Sequence, residues 1–504
     1  MVATNPVDGG RSDDIKSSTT PVVHQFLPVF GRGAQLPPIS TLSAEATAGL
    51  GAFLWASDHN LDHGFSLHAA RTTSPNDLPP RDVIRRLVSL SLSHTCYTLY
   101  SVFQWKNEVL RAMAFSDGTI YLDHAATTPV DPRVLDAMIP YFTDQFGNPG
   151  GIYNLGRRAA AALDDSREAV ARVLHCRPTE VIFTAGGSES DNLAIKGIAA
   201  ASRSRGKHII TSAIEHHAVL HTCQALEKDG YTVTYLPVDA QGRVRVEDVA
   251  AALTDETILV TIMLANNEIG TIQPIAAIGE ICRARRIPFH TDAVQGGGVL
   301  DLDVTKLRVD ALSLAAHKFY GPKGVGILYL RTGTRIAPQI QGGSQERNRR
   351  AGTENVAGIV GAATALTLMY AESATENARL IGLRDRLIAG VLAIPDTQIT
   401  GHPTERLPNN ASFAIRGIEG ESLLLNLDIA GIAASSGSAC TSAIVDPSHV
   451  LVALGLDDAW NRGHLRLTVG HSTTEADVDA VVAQLPAMVA ALRALSSRPA
   501  ATRS

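Results

Sequence analysis

Lys318 is the first residue whose type and position suggest chemistry. It follows an apolar, strand-like run at residues 311–316 and precedes a turn of sequence Gly-Pro-Lys-Gly at residues 321–324. Apolar surroundings lower the pKa of an ammonium group and favour the neutral, nucleophilic amine. A lysine at the end of a buried strand is therefore a candidate for a Schiff base. A lysine that merely opens a surface loop would look the same, so a second residue must support this interpretation.

Asp292, which lies 26 residues upstream, gives that support. It sits in another strand-like run, residues 287–295. Pyridoxal phosphate (PLP) acts as an electron sink only while its pyridine nitrogen is protonated, and a buried carboxylate beside that nitrogen keeps it so. A strand-end aspartate alone is more often a turn or cap residue. The pairing of an acid with an amine at two strand ends therefore predicts a PLP site.

Further strand exits carry polar residues that suit the same cofactor. Residues 180–192 read as a strand, a glycine turn and a helix start with Ser188 as N-cap, which predicts an anion site for a phosphate ester. His216 follows another strand, where an imidazole could stack on the pyridine ring and move protons. Asn267 suits the ring hydroxyl or a substrate carboxylate, and Gln295 can donate to the phenolic oxygen of the ring.

Two residues near the C-terminus complete the candidates. Cys440 stands in a stretch of small and polar residues, 434–442, which predicts an exposed and reactive thiol. Arg466 lies on a predicted strand, and a guanidinium fork is the usual partner of an α-carboxylate.

Composition excludes several classes of protein. The chain has 504 residues, a net charge of −6 and 45% hydrophobic residues, so no nucleic-acid-binding surface is expected. The five cysteines are scattered and form no CxxC pair, which favours a reducing cytoplasm over a disulfide framework, and we expect no metal site. We see no signal peptide and no run apolar enough to span a membrane.

The order of predicted elements indicates an α/β protein. Seven apolar, β-branched runs alternate with helices between residues 180 and 329, as in a mostly parallel sheet that is covered on both faces. We expect a large cofactor-binding domain at residues 128–374 and a smaller α+β domain formed by residues 116–127 and 375–495, followed by a tail at 496–504. Residues 1–115 are expected to be a disordered or loosely packed extension.

From about residue 120 to 495, the chain closely resembles the NifS/IscS class of cysteine desulfurases. The matching strings, in order, are YLDHAATTP, FGNPG, GGSESDNLAIKG, EHHAVL, NNEIG, TDAVQ, AHKFYGPKG, RRAGTEN, SSGSACTS and LRLTVG. The resemblance implies a fold-type-I PLP enzyme that is a homodimer with its active site at the subunit interface.

The resemblance also implies a role for each matching residue. Lys318 matches the Schiff-base lysine, Asp292 the partner of the ring nitrogen, and Cys440 the cysteine that carries a persulfide. The resemblance implies that His216 stacks on the ring and that Gln295 contacts the phenolic oxygen. The implied phosphate contacts are Gly187, Ser188, His317 and, from the second subunit, Thr353. The implied contacts with substrate and cofactor are Asn267 and Arg466. Ala315 departs from the family, which often has a phosphate-binding serine there.

The expected function is therefore PLP-dependent removal of sulfur from L-cysteine, giving L-alanine and a persulfide on Cys440. The acceptor would be an iron–sulfur scaffold or a tRNA-thiolation protein. Two alternatives remain open: another PLP enzyme of the same fold, such as a selenocysteine lyase or an aminotransferase, and a non-catalytic partner protein.

Overall fold

A computed structural model describes residues 118–437 and 448–496. The expected N-terminal extension, Cys440 and nearly all of the C-terminal tail lie outside these residues. The twelve strands within this part of the chain are β1 (Ile120–Tyr121), β2 (Val181–Thr184), β3 (His208–Ser212), β4 (Thr232–Leu236), β5 (Thr257–Thr261), β6 (Phe289–Asp292), β7 (Ala311–Ala315), β8 (Gly326–Leu330), β9 (Thr397–Ile399), β10 (Asn410–Ile415), β11 (Ile432–Ala433) and β12 (His464–Thr468).

The helices alternate with the strands through the middle of the chain. They are α1 (Pro132–Met138), α2 (Pro140–Thr143), α3 (Asn154–Leu174), α4 (Gly187–Ser202), α5 (His217–Lys228), α6 (Val246–Ala252), α7 (Ile275–Ala284), α8 (Val304–Leu307), α9 (Val356–Leu392), α10 (Gly420–Ile429), α11 (His449–Ala453), α12 (Asp458–Asn461) and α13 (Glu475–Ser496).

The predicted seven-stranded, mostly parallel sheet is confirmed. Its strand order is β2-β8-β7-β6-β5-β3-β4, and only β8 runs antiparallel to its neighbours. Alternate residues of one strand belong to different cores: Phe183 packs with α3 and α9, whereas Ile182 packs with α4 and α5. The sheet is therefore buried on both faces.

Two small sheets lie after the long helix α9. β12, β10 and β9 form an antiparallel sheet, and β1 pairs in parallel with β11, so the first strand joins the C-terminal part as expected. α9 contributes Leu366 to the core of the large sheet. It also contributes Leu387 to the core that the two small sheets share. The domain limit that we propose near residues 374–375 thus falls inside one continuous helix.

Two helices, α9 and α13, are long and apolar enough to cross a membrane. Both pack apolar side chains into protein cores, for example Leu387 of α9 against the cluster that holds Val481 and Leu485 of α13. Core helices of soluble proteins have the same length and composition. Both helices therefore contribute apolar side chains to protein cores.

A strained turn at Gln345–Asn348 lies before α9. Three consecutive residues, Glu346, Arg347 and Asn348, have φ values of 45°, 56° and 62°, a left-handed conformation that costs roughly 1–2 kcal/mol per residue. The buried carboxylate of Glu346 accepts two hydrogen bonds from Arg167, at 2.8 and 2.9 Å. Arg167 also donates to the Val181 carbonyl and lies over the Phe183 ring. This ion pair ties the turn to α3 and the sheet.

We predict that Arg167→Ala lowers the free energy of unfolding by about 3–5 kcal/mol, because it leaves the Glu346 carboxylate buried without a partner. Chemical denaturation measures the change. The control is Arg386→Ala, which removes a half-exposed arginine paired with Glu475 and Asp479 and should cost about 1 kcal/mol or less. Equal losses in the two variants would contradict a structural role for the buried pair.

Candidate active site

The carboxyl ends of five strands meet at one edge of the large sheet, where open α/β sheets bind their ligands. Each is followed by residues that the sequence predicted to be functional. They are Gly187 and Ser188 after β2, His216 after β3, Asn267 after β5, Asp292 and Gln295 at the end of β6, and His317 and Lys318 after β7.

Lys318 is held by the segment that follows β1. Its Nζ donates to the carbonyls of Ala125 and Ala126, at 2.6 and 2.7 Å. Gln295 Nε2 donates to the same Ala125 carbonyl at 3.0 Å, and the His317 ring lies 3.2 Å from the Thr127 hydroxyl. The chain before α1 therefore covers the end of β7 and brings Lys318, Gln295 and His317 together.

Asp292 and His216 form the electrostatic centre of this edge. Burial raises the pKa of Asp292, and this effect is opposed by His216, by the Val294 amide, which donates to the carboxylate at 2.9 Å, and by Lys318. Burial lowers the pKa of His216. His216 Nδ1 accepts the Ala218 amide as the N-cap of α5, so the neutral ring carries its proton on Nε2.

Two buried carboxyl groups in this wall were missed by the sequence analysis. Burial raises the pKa of Glu215 to about 8, although its carboxyl accepts from the Ser212 hydroxyl and the Met263 amide. Burial and the nearby Asp292 carboxylate raise the pKa of Asp191 well above its usual range. Glu215 and Asp191 both stand in strings that match the family, but their burial depends on contacts between distant strands.

The helix α4 begins two residues earlier than predicted. Gly186 is its N-cap, and Ser188 lies inside the first turn, so the prediction of Ser188 as N-cap is wrong. The reason is close packing: a Cβ added at Gly187 would lie 2.8 Å from Val294 Cγ2 and 3.4 Å from the Cβ of Ala315. The helix can therefore start against β6 and β7 only with glycine at this position, and its first-turn amides remain available to an anion.

Arg466 lies on β12 and is almost fully buried. It pairs with Asp123 at 2.7 Å and donates to the Asn267 carbonyl at 3.0 Å, while its Nε has no partner among the residues described. The fork that is expected to bind a carboxylate is thus fixed in place by Asp123. Asp123 is not among the residues predicted from the sequence, because its contact with Arg466 spans 343 positions.

Cys440 itself lies outside the described residues, but both flanks of its segment reach one buried carboxyl group. The Ser448 hydroxyl donates to Glu268 Oε2 at 2.6 Å. A Cβ added at Gly437 would lie 2.9 Å from the same oxygen. Glu268 was another residue that the sequence analysis missed. Thr353 is exposed, and within the described chain it makes no hydrogen bond to the other predicted site residues.

These residues fit PLP. A buried acid, an imidazole and an amine lie at the same edge of the sheet, and the glycine cradle at Gly187 adjoins the free amides of α4. Arg466 Nε is buried without a hydrogen-bond partner in the described part of the chain, so it remains available to a bound molecule. Ala315 lines the cradle, so the phosphate would lack one hydroxyl contact there, worth about 0.5–1.5 kcal/mol.

We predict a pH-dependent effect of Glu215→Gln on stability. The pKa of Glu215 rises from 4.5 in the unfolded chain to about 8, so the stability it contributes is complete below pH 4.5 and is lost as the pH rises through 8. The variant should therefore gain stability over the wild type by up to about 1.4 kcal/mol per pH unit between these values.

Urea unfolding at several pH values measures this difference. The control is Glu256→Gln, which removes an exposed carboxyl group and should leave the pH dependence as in the wild type. An unchanged pH dependence in Glu215→Gln would show that Glu215 is ionised in the folded protein.

Comparisons with known proteins identify the family of the chain. The family model for class-V aminotransferases matches residues 120–481. Cysteine desulfurase IscS of Clostridium botulinum is 52% identical over 380 residues, covering 75% of this chain and 96% of that protein. Cysteine desulfurase IscS of Methanosarcina thermophila is 54% identical over 377 residues, covering 75% and 93%.

Solved structures give the same result. A NifS-like protein has a TM-score of 0.70 and 38% identity and covers 74% of this chain and 100% of its own. SspA in complex with cysteine has a TM-score of 0.63 and 37% identity, covering 70% and 99%. The chain therefore belongs to the class-V aminotransferase family, among the NifS- and IscS-type cysteine desulfurases, and is a soluble, PLP-dependent enzyme.

Proposed function

We propose that this enzyme removes the sulfur of L-cysteine and carries it as a persulfide on Cys440. The main support is the meeting of Lys318, Asp292 and His216 at one sheet edge, in a chain that is about half identical to cysteine desulfurases. In the net reaction the Cys440 sulfur bonds to the substrate sulfur, the carbon–sulfur bond of the substrate breaks, and the carbon takes up a proton to give L-alanine.

Five groups of the chain would hold the cofactor. Asp292 would face the ring nitrogen, His216 the ring, and Gln295 the phenolic oxygen, while the first turn of α4 with His317 would bind the phosphate. Bound PLP supplies an electron sink that makes the Cα proton of an amino acid acidic. The Lys318 amine would take up and return that proton.

The substrate would be oriented by groups that lie between the large sheet and the small sheet that contains β12. Arg466 would bind the carboxylate of L-cysteine through its guanidinium fork, which Asp123 holds in a fixed direction. Asn267, whose carbonyl accepts from Arg466, would place its side-chain amide beside the substrate. Glu268 would fix both flanks of the segment that carries Cys440.

Homodimerisation is part of the proposal. Four large apolar side chains, Phe142, Phe146, Ile152 and Tyr153, are more than half exposed within a short stretch of the chain, which supports a protein interface there. Thr353 would then reach the phosphate group in the other subunit. The persulfide would pass in the cytoplasm to an iron–sulfur scaffold or a tRNA-thiolation protein.

Cysteine substitutions test the proposal. Cys440→Ala should release no sulfur from L-cysteine while the visible absorption of PLP is retained, because only the sulfur carrier is lost. Cys176→Ala, which removes another thiol that is not fully buried, should keep wild-type activity. Release of sulfur by Cys440→Ala at the wild-type rate would contradict the role of Cys440. Capture of acceptors by Cys440→Ser and the wild type would identify the partner.

A pair of aspartate substitutions tests the electrostatic assignment. Asp292→Asn should lower kcat/KM by at least about 10²-fold, the usual effect of losing a preorganised charge. Asp191→Asn should change it by less than about tenfold, because burial raises the pKa of the Asp191 carboxyl well above its usual range and so disfavours a charge there. Steady-state kinetics with L-cysteine distinguish the two, and comparable losses would mean that Asp191 also acts as a charge.

A further inference from the structure

A cavity of about 700 Å³ opens at the edge of the large sheet opposite the candidate active site. Pro288 precedes β6, Asp310 precedes β7, and Arg331 follows the antiparallel β8, so all three line the end from which the parallel strands start. Strands of four or five residues, about 13–17 Å long, separate this cavity from Asp292 and Lys318. It is therefore distinct from the cofactor site.

Five arginines line this cavity together with one acid. The acid, Asp310, is buried, accepts the Phe289 amide at 2.9 Å and pairs with Arg331. Throughout residues 118–437 and 448–496, no carboxylate lies within ion-pair distance of the guanidinium group of any of the other four, although Arg283 interacts with Asp310 at longer range. The four are Arg205, Arg283, Arg286 and Arg335.

This concentration of positive charge occurs in a chain with a net charge of −6. Guanidinium groups that share one cavity repel each other, and a bound anion with several charges would relieve that repulsion. Their planar forks match phosphate oxygens in pairs. The hydroxyl groups of Ser202, Ser204 and Thr334 lie in the same lining and offer further donors.

The shape of the cavity favours a small molecule over a macromolecule. Its volume lies within the range of small-molecule sites, roughly 300–1,000 Å³. Ser202, Ile287 and Asp310 of the lining are buried, so the cavity has a floor. Ile287, Pro288 and Ala201 add an apolar wall, against which an uncharged ring could lie beside the arginines.

We propose that this cavity binds a nucleoside di- or triphosphate, with the phosphates held by the arginines and the nucleoside against the apolar wall. The site is independent of sulfur removal at Cys440. The cavity lies on the far side of the sheet from the cofactor site.

Isothermal titration calorimetry of the full-length, PLP-loaded protein tests the proposal with three probes: ATP, tripolyphosphate and adenosine. We expect ATP to bind more tightly than tripolyphosphate, adenosine to give no measurable binding, and added salt to weaken the binding of ATP. The double variant Arg283→Ala/Arg335→Ala should lose about tenfold or more in ATP affinity, since each charged hydrogen bond is worth that factor.

The matched control is Arg245→Ala/Arg416→Ala, which removes two exposed arginines outside the cavity and should bind ATP as the wild type does. Circular dichroism and PLP absorption verify that both double variants are folded. Absence of ATP binding, or ATP binding that survives Arg283→Ala/Arg335→Ala, would overturn the proposal. Tripolyphosphate binding as tightly as ATP would refute the nucleoside contact, and arginine-dependent binding of a polyglutamate peptide without ATP binding would point instead to an acidic protein partner.

Discussion

The site depends on one buried carboxylate at the end of a central strand. Asp292 is covered by the helices on both faces of the sheet, and burial alone drives its carboxyl toward the neutral form. His216, the Val294 amide and Lys318 act in the opposite direction. A protonated ring nitrogen would complete this compensation. The positive charge that would stabilise the Asp292 carboxylate is the same charge that PLP needs to act as an electron sink.

The two neighbouring acids respond differently to the same environment. Glu215 and Asp191 lie in the wall behind Asp292, and burial raises the pKa of both, with a further contribution from the negative charge of Asp292. Three carboxyl groups in one apolar wall cannot all be ionised, and the one nearest the open edge is the one that can meet a cation. The negative charge of these three carboxyl groups is therefore concentrated on Asp292.

Contacts between the large sheet and the two small sheets provide the remaining parts of the site. The segment after β1 supplies the carbonyl groups of Ala125 and Ala126 to Lys318, and Asp123 to Arg466. Because β1 pairs with β11 while this segment lies on the end of β7, one short stretch joins both sheets at the site. This stretch therefore couples the position of the amine to that of the guanidinium.

The sequence alone determined the seven-stranded sheet, the strand-end positions of Lys318, Asp292, His216 and Asn267, and the family, because strand periodicity, glycine turns and motif order are local properties of the chain. The tertiary structure decided which acids are buried, that Asp123 fixes Arg466, that Glu268 contacts Ser448 and lies close to Gly437 on the other side of the Cys440 segment, and that α4 starts at Gly187. It also assembled the arginine-lined cavity from four separate stretches of chain. Burial, charge pairing and close packing depend on residues that are distant in sequence, and only the folded chain brings those residues together.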